Sequence, residues 1–290
     1  MFCCFRLKKA MLLIPAAVLA MVIIILSVKA GASVFTGTKA HDGVFVPVIM
    51  YHSVLKNEAS AGDYIVTPIT LEKDLLYLYE NGYTTVFISD IISYVYEDVP
   101  LPEKPVVLTF DDGCYNNLTY VLPLLEKYEM KAVFSIVGKY TQTFSDSGDK
   151  TPEYAYLSWE DISQMNKSGL VEFVNHSYAM HSIEQRRGSL MLEDESLADY
   201  KNVFIADTMK LSNAFYDNCK IKTEAYAFPY GFYCQEALDI LKSLGFKVYL
   251  TCAEKPNYIT KSPNSLIELN RYNRPSGIST DEFMEKSLSP

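Results

Sequence analysis

Two aspartates stand side by side in Thr109-Phe110-Asp111-Asp112-Gly113. Directly behind an apolar run, adjacent carboxylates repel unless one binds a cation, stays protonated or is well solvated. On its own the pair would read as an ordinary Asp/Gly turn. A second segment changes the balance: His176-Ser177-Tyr178-Ala179-Met180-His181 carries two imidazoles five residues apart, also behind an apolar run. Neutral imidazoles with a carboxylate are the ligand set of catalytic zinc or iron sites, which keep positions open for water and substrate. Five-residue spacing does not align two side chains on one helix face, so these ligands require a turn or irregular loop. Tyr51-His52-Ser53 and Pro229-Tyr230-Gly231 follow apolar runs in the same way. The chain has four histidines, and three of them fall in these segments.

The elements that must position these groups alternate. Val44–Tyr51 predicts a buried strand, and Thr70 caps a predicted helix ending at Asn81-Gly82. Strand patterns follow at Tyr83–Ile88, Val106–Phe110, Ala132–Val137, Leu170–Val174, Glu224–Phe228 and Lys247–Leu250. Between them lie helical patterns at Asp90–Tyr96, Leu118–Tyr128, Ser158 to Ser168-Gly169, Ser196–Phe215 and Gln235–Leu244, with a last helix from about Thr280. Thr141–Pro152 is polar and reads as a surface loop. Strands alternating with helices imply parallel pairing with right-handed crossovers. Seven or so such units over about 250 residues predict a distorted or incomplete (β/α)7 barrel, with functional groups at the strands' C-terminal ends.

The front of the chain differs. Met1–Ala10 is short and basic, and Met11–Val28 is an uncharged run of eighteen residues. That layout predicts a signal-anchor or transmembrane helix over residues 1–30, with Ala30-Gly31-Ala32 offering an alternative cleavage site. The basic tip then lies in the cytoplasm, and a linker over 31–43 leads to an extracytoplasmic catalytic domain over 44–290. Past residue 30 the chain holds 22 basic and 35 acidic residues, which lacks the footprint of a nucleic-acid binder. Cys114, Cys219, Cys234 and Cys252 read as single thiols, and Cys114, beside the aspartates, as a packing residue.

Thr109–Gly113, the paired histidines and Phe228-Pro229-Tyr230-Gly231 resemble the polysaccharide deacetylases with NodB-homology domains, carbohydrate esterase family 4, from about Val46 onward. The opening Met50-Tyr51-His52 and the His-Ser-Tyr-x-x-His spacing are most similar to the poly-N-acetylglucosamine deacetylase branch. The resemblance implies hydrolysis of acetamide groups on an N-acetylglucosamine polysaccharide. It implies a divalent metal, zinc first, on Asp112, His176 and His181, with Asp111 as general base and His52 as general acid. The Tyr230 backbone N–H, presented beside Pro229, is implied to stabilise the oxyanion. Tyr51, Tyr115 and Tyr178 are candidate substrate contacts. The family pattern places an arginine where this chain has Ala227; Arg186, Arg187, Arg271 and Arg274 are candidates to replace it. That departure keeps a non-catalytic glycan-binding protein in view, and acetylated xylan keeps an O-acetyl esterase. A glycosidase built on Asp111 and Asp112 is disfavoured, because its carboxyls must flank the scissile bond about 5–9.5 Å apart.

Overall fold

The computed structural model describes residues Asp42–Pro290. The expected membrane segment over 1–30 and nearly all of the linker lie outside the described residues. Among the described residues no helix is long and apolar enough to cross a membrane.

Pro47 divides the first apolar run, because it cannot donate to a strand ladder. The expected single strand over Val44–Tyr51 is therefore two. β1 (Val44–Phe45) pairs antiparallel with the later Tyr258–Ile259, and β2 (Val48–Tyr51) joins the main sheet. Next come β3 (Ser53–Val54), β4 (Ile65–Val66), α1 (Pro68–Glu80), β5 (Thr84–Thr85), α2 (Ile88–Glu97) and β6 (Pro105–Phe110). They are followed by α3 (Leu122–Tyr128), β7 (Ala132–Ile136), α4 (Gly138–Ser147), α5 (Trp159–Asn166), β8 (Val171–Asn175) and α6 (Leu197–Cys219). The chain finishes with β9 (Ala225–Ala227), α7 (Gln235–Ser243), β10 (Val248–Leu250), β11 (Tyr258–Ile259), β12 (Tyr272–Asn273) and α8 (Thr280–Ser287).

The main sheet is a parallel, curled half-barrel in the order β10-β9-β8-β7-β6-β2-β12, with β5 beside the start of β6. It is consistent with the distorted (β/α)7 expectation. The stretch leading into β12 reaches both margins. Leu269 N–H donates to the Tyr249 carbonyl at 2.8 Å, while Tyr272 pairs with Ile49 of β2. Period-2 alternation divides the core. Val48, Val107, Val133, Val174 and Val248 cluster with Ile88, Ile91, Ile92 and Val95 of α2. Their neighbours Ile49, Leu108, Phe110, Phe134 and Phe173 cluster instead with Leu71, Leu75 and Leu78 of α1 and with α3, α5 and α6. Each such fully buried side chain contributes about 1.5–3 kcal/mol.

Three local expectations change. Thr67, not Thr70, caps α1, with Pro68 at the first helical position where its missing N–H costs nothing. The helix expected from Leu118 opens with a π turn over Asn117–Val121, in which the Leu122 N–H reaches back to Asn117. Pro123, next in line, has no N–H to continue an ordinary ladder. Most of α4 falls in the polar stretch expected as a loop; the helix buries Gly138 and Thr141 and ends at left-handed Gly148, and polarity alone does not separate an exposed helix from a loop. The four described cysteines are free thiols.

Candidate active site

β6 delivers the aspartates. Asp112 and Gly113 both take left-handed backbone conformations, φ 72° and 75°. A side chain at Gly113 would strain the left-handed backbone and press Ile136 Cδ1 at 2.9 Å, which favours glycine at this reversal. The turn sends the two carboxylates to different partners. Asp111 is buried and accepts from Arg271 Nη1 at 2.7 Å; its other oxygen accepts no hydrogen bond from any described residue. Asp112 Oδ1 lies 2.9 Å from His181 Nε2 and 3.5 Å from His176 Nε2.

β8 delivers the histidines. His176 Nδ1 is 2.8 Å from the Ala227 carbonyl. A carbonyl can only accept, so Nδ1 carries a proton and Nε2 is the nitrogen turned toward Asp112. His181 Nδ1 faces two tyrosine hydroxyls, Tyr230 at 3.2 Å and Tyr140 at 3.4 Å. One ligand atom from each of Asp112, His176 and His181 lies within 4.8 Å of the other two. Asp112 Oδ1 is buried and accepts no aligned hydrogen bond. A buried anionic oxygen and two imidazole nitrogens around one point fit a divalent cation.

Electrostatics separates the carboxylates from ordinary surface acids. Burial alone would raise both, but Arg271 and His176 hold Asp111 well below the usual range. His176 and His181 do the same for Asp112. Burial lowers His52 below its ordinary value, although Asp111 and Asp112 pull the other way. His52 Nδ1 is buried without a partner, and its ring meets Tyr64 edge-on at 4.9 Å. A cleft of about 220 Å³ brings His52 and Asp112 together with Tyr64, Glu153, Tyr154 and Tyr156. Burial and Asp112 push the Cys114 thiol up, away from nucleophile chemistry.

Pro229 is buried and opens a single turn in which Tyr230 has φ 57° and a side chain 43% exposed. Its ring centroid lies 4.5 Å from that of His181. Of the four candidate arginines, only Arg271 faces Asp111. It is fully buried and also donates from Nε to the Thr251 carbonyl at 2.8 Å. Arg274 pairs with Asp74, Arg186 with Glu195, and Arg187 stacks on Phe232.

Of the tyrosines expected at the substrate, Tyr51 is turned into the core. Tyr51 is 1% exposed, stacks on Phe110 and donates to Asp74 at 3.1 Å, so its ring offers no face to a sugar. Inward orientation follows from its place at the end of β2 on the helix-facing side. Tyr115 packs against the main core, and Tyr178 is wedged between Gly138 and Lys210. Tyr64, Tyr140, Tyr154 and Tyr156 take their place around the site. They come from segments without a motif, and no signal in the sequence singles them out.

A sequence profile of the family described as "Polysaccharide deacetylase" matches residues 98–249. The poly-β-1,6-N-acetyl-D-glucosamine N-deacetylase of Escherichia coli K12 is 30% identical over 230 residues, covering 73% of this chain. The chain spans only 34% of that relative's length. A Staphylococcus aureus protein of the same description is 26% identical, covering 63% of this chain and 57% of the relative. Among solved structures, Streptococcus pyogenes deacetylase PplD in complex with acetate superposes with TM-score 0.70 at 23% identity, covering 86% of this chain and all of that one. IcaB from Ammonifex degensii superposes at 0.69, also at 23% identity, over 86% of this chain and 99% of that one. At that identity these two speak for the fold. With more than half its length under the family profile, and the family's motif residues gathered at one rim, the chain belongs to the polysaccharide deacetylase family.

Proposed function

We propose that the chain removes acetyl groups from an N-acetylglucosamine polysaccharide of the poly-β-1,6-N-acetylglucosamine type by metal-assisted hydrolysis. One observation carries this reading. Asp112, His176 and His181 converge beside a second aspartate that Arg271 keeps ionised. A divalent ion on the three ligands, zinc first, supplies Lewis acidity toward the acetamide carbonyl and lowers the pKa of water. Asp111, with one oxygen free of protein partners, takes the proton from the attacking water. Arg271 fixes that carboxylate's orientation and its charge. The left-handed turn at Tyr230 presents a backbone N–H to the developing oxyanion. His52, whose protonated form Asp111 and Asp112 favour against the effect of burial, gives its proton to the departing amine and is recharged from solvent, to which Asp111 returns the proton it took from water. The carbon–nitrogen bond breaks, leaving acetate and a glucosamine-type amine.

Ala227 alone would favour a non-catalytic reading, and the Arg271 guanidinium against Asp111, just ahead of β12, supports the catalytic one. The basic tip and apolar run ahead of residue 30 support an extracytoplasmic placement with a membrane anchor, where such a polymer is met. The test is acetate release by the zinc-loaded full chain from β-1,6- and β-1,4-linked N-acetylglucosamine oligomers, peptidoglycan and acetylated xylan. Release from the β-1,6 oligomers is expected, Asp111→Asn keeping zinc but losing turnover and His176→Ala losing both. Zinc binding without acetate release from any glycan overturns the enzymatic reading, and release from xylan alone makes it an esterase.

A further inference from the structure

The backbone between the two ligand histidines needs outside support. Ser177 has φ 69°, a left-handed conformation that costs a non-glycine residue about 1–2 kcal/mol. The next two N–H groups converge on one carboxylate of α6. Tyr178 donates to Asp207 Oδ1 at 2.8 Å, and Ala179 to Asp207 Oδ2 at 2.8 Å. Successive N–H groups beside a left-handed residue form a concavity that binds anions, and Asp207 fills it. The same turns of α6 grip the loop again. The Thr208 carbonyl accepts from Asn175 Nδ2 at 3.0 Å, and Asn175 Oδ1 in turn accepts the Ser177 N–H at 2.9 Å.

The two histidines differ in what else holds them. His176 is tied directly to the sheet through the Ile136 and Ala227 carbonyls. The His181 ring has only tyrosine hydroxyls beyond Asp112, one of them on exposed Tyr230. The position of the second ligand relative to the first is therefore set largely by the loop between them. That loop's long-range side-chain anchor is Asp207, 28 and 29 residues away in sequence, beside the N–H groups that Gly138 and Lys139 donate to the Ser177 and Tyr178 carbonyls at 3.1 and 2.7 Å.

We propose that Asp207 is a positioning residue for the metal site, its carboxylate filling the Tyr178–Ala179 anion nest and so fixing the spacing of His176 and His181. This rests on the metal reading above. Asp207 touches neither ligand, so its effect appears in metal affinity before it appears in the chemical step.

The experiment titrates the full chain with zinc alone against a chromogenic chelator. Asp207→Ala weakens zinc binding about 10- to 100-fold, the range for loss of a group that orients ligands. Sodium formate, a small carboxylate able to refill the nest, restores most of that loss in Asp207→Ala and changes nothing in the wild type. A merely structural lesion would not respond to formate. Asp207→Asn, which keeps one acceptor oxygen, binds zinc with intermediate affinity and guards against misfolding of the alanine variant. Wild-type affinity in either folded variant overturns the proposal, as does a loss that formate leaves untouched. A wild-type chain that binds no zinc fails the metal reading and this proposal with it. Zinc binding by the wild type beside an unaffected Asp207→Ala fails this proposal alone.

Discussion

Two buried arginine–carboxylate pairs leave the same segment, three residues apart, and are built to different ends. Arg274 grips Asp74 through Nε at 2.8 Å and Nη2 at 3.1 Å, while Tyr51 and Thr280 also donate to that carboxylate. Every oxygen of Asp74 is saturated, and nothing is left for a substrate. Arg271 grips Asp111 through one contact and leaves the second oxygen free. Both pairs pay the same kind of desolvation penalty. Asp74 has its full complement of donors, whereas Asp111 has one and keeps an oxygen available for the base role proposed above.

The largest effect should come from breaking the saturated pair. Asp74→Ala strands the buried Arg274 guanidinium and costs about 3–5 kcal/mol of stability. Chemical denaturation should show that loss, with kcat per folded molecule unchanged; a fall in kcat instead would blur the distinction between the pairs. Arg271→Met sharpens it from the other side. Acetate release should fall about 10²- to 10³-fold, within the usual worth of a positioned base. Burial then acts on Asp111 without its counter-charge, so the acid limb of kcat/KM should move to higher pH. An unshifted limb would disconnect Arg271 from the base.

Glu172 offers a third case, a carboxylate inside the fold with no guanidinium. It accepts the Ile88 N–H at 2.7 Å and the Ser89 N–H at 3.1 Å at the start of α2, and burial pushes it up to about 7. Because the folded-state value exceeds the ordinary one, its contribution is complete below about pH 4.5 and is lost as pH rises toward 7. The loss amounts to about 3 kcal/mol at most, given 1.36 kcal/mol per unit. Melting curves across that window should lose this component in Glu172→Gln, and identical slopes would remove Glu172 as its source. The smallest effect is expected at Tyr230→Phe, which leaves Tyr140 to orient His181. Zinc affinity should weaken by less than about tenfold, the low end for such partners; a larger loss would mean that Tyr140 takes no share.

The aspartate pair and both histidines were legible because metal-binding residue types sat immediately behind strand-like runs. Their convergence needed only the rule that parallel sheets gather function at one end. Arg271 was one of four arginines with equal claims, since choosing it requires knowing that the last strand lies beside β2. Asp207 was invisible for a related reason: a helix residue acquires meaning only from the loop it faces. Tyr51 misled because adjacency to a motif says nothing about which side of a strand a ring takes. Pro47 could have been read as a break from the start, and α4 was hidden by its polar composition.

The arginine paired with Asp111 lies 160 residues downstream of it, immediately ahead of β12. A nascent polypeptide carrying both aspartates and both histidines would therefore still lack the counter-charge that keeps its proton acceptor ionised. Premature termination between residues 181 and 271 would yield a product that carries all three of the ion's ligands but lacks this arginine.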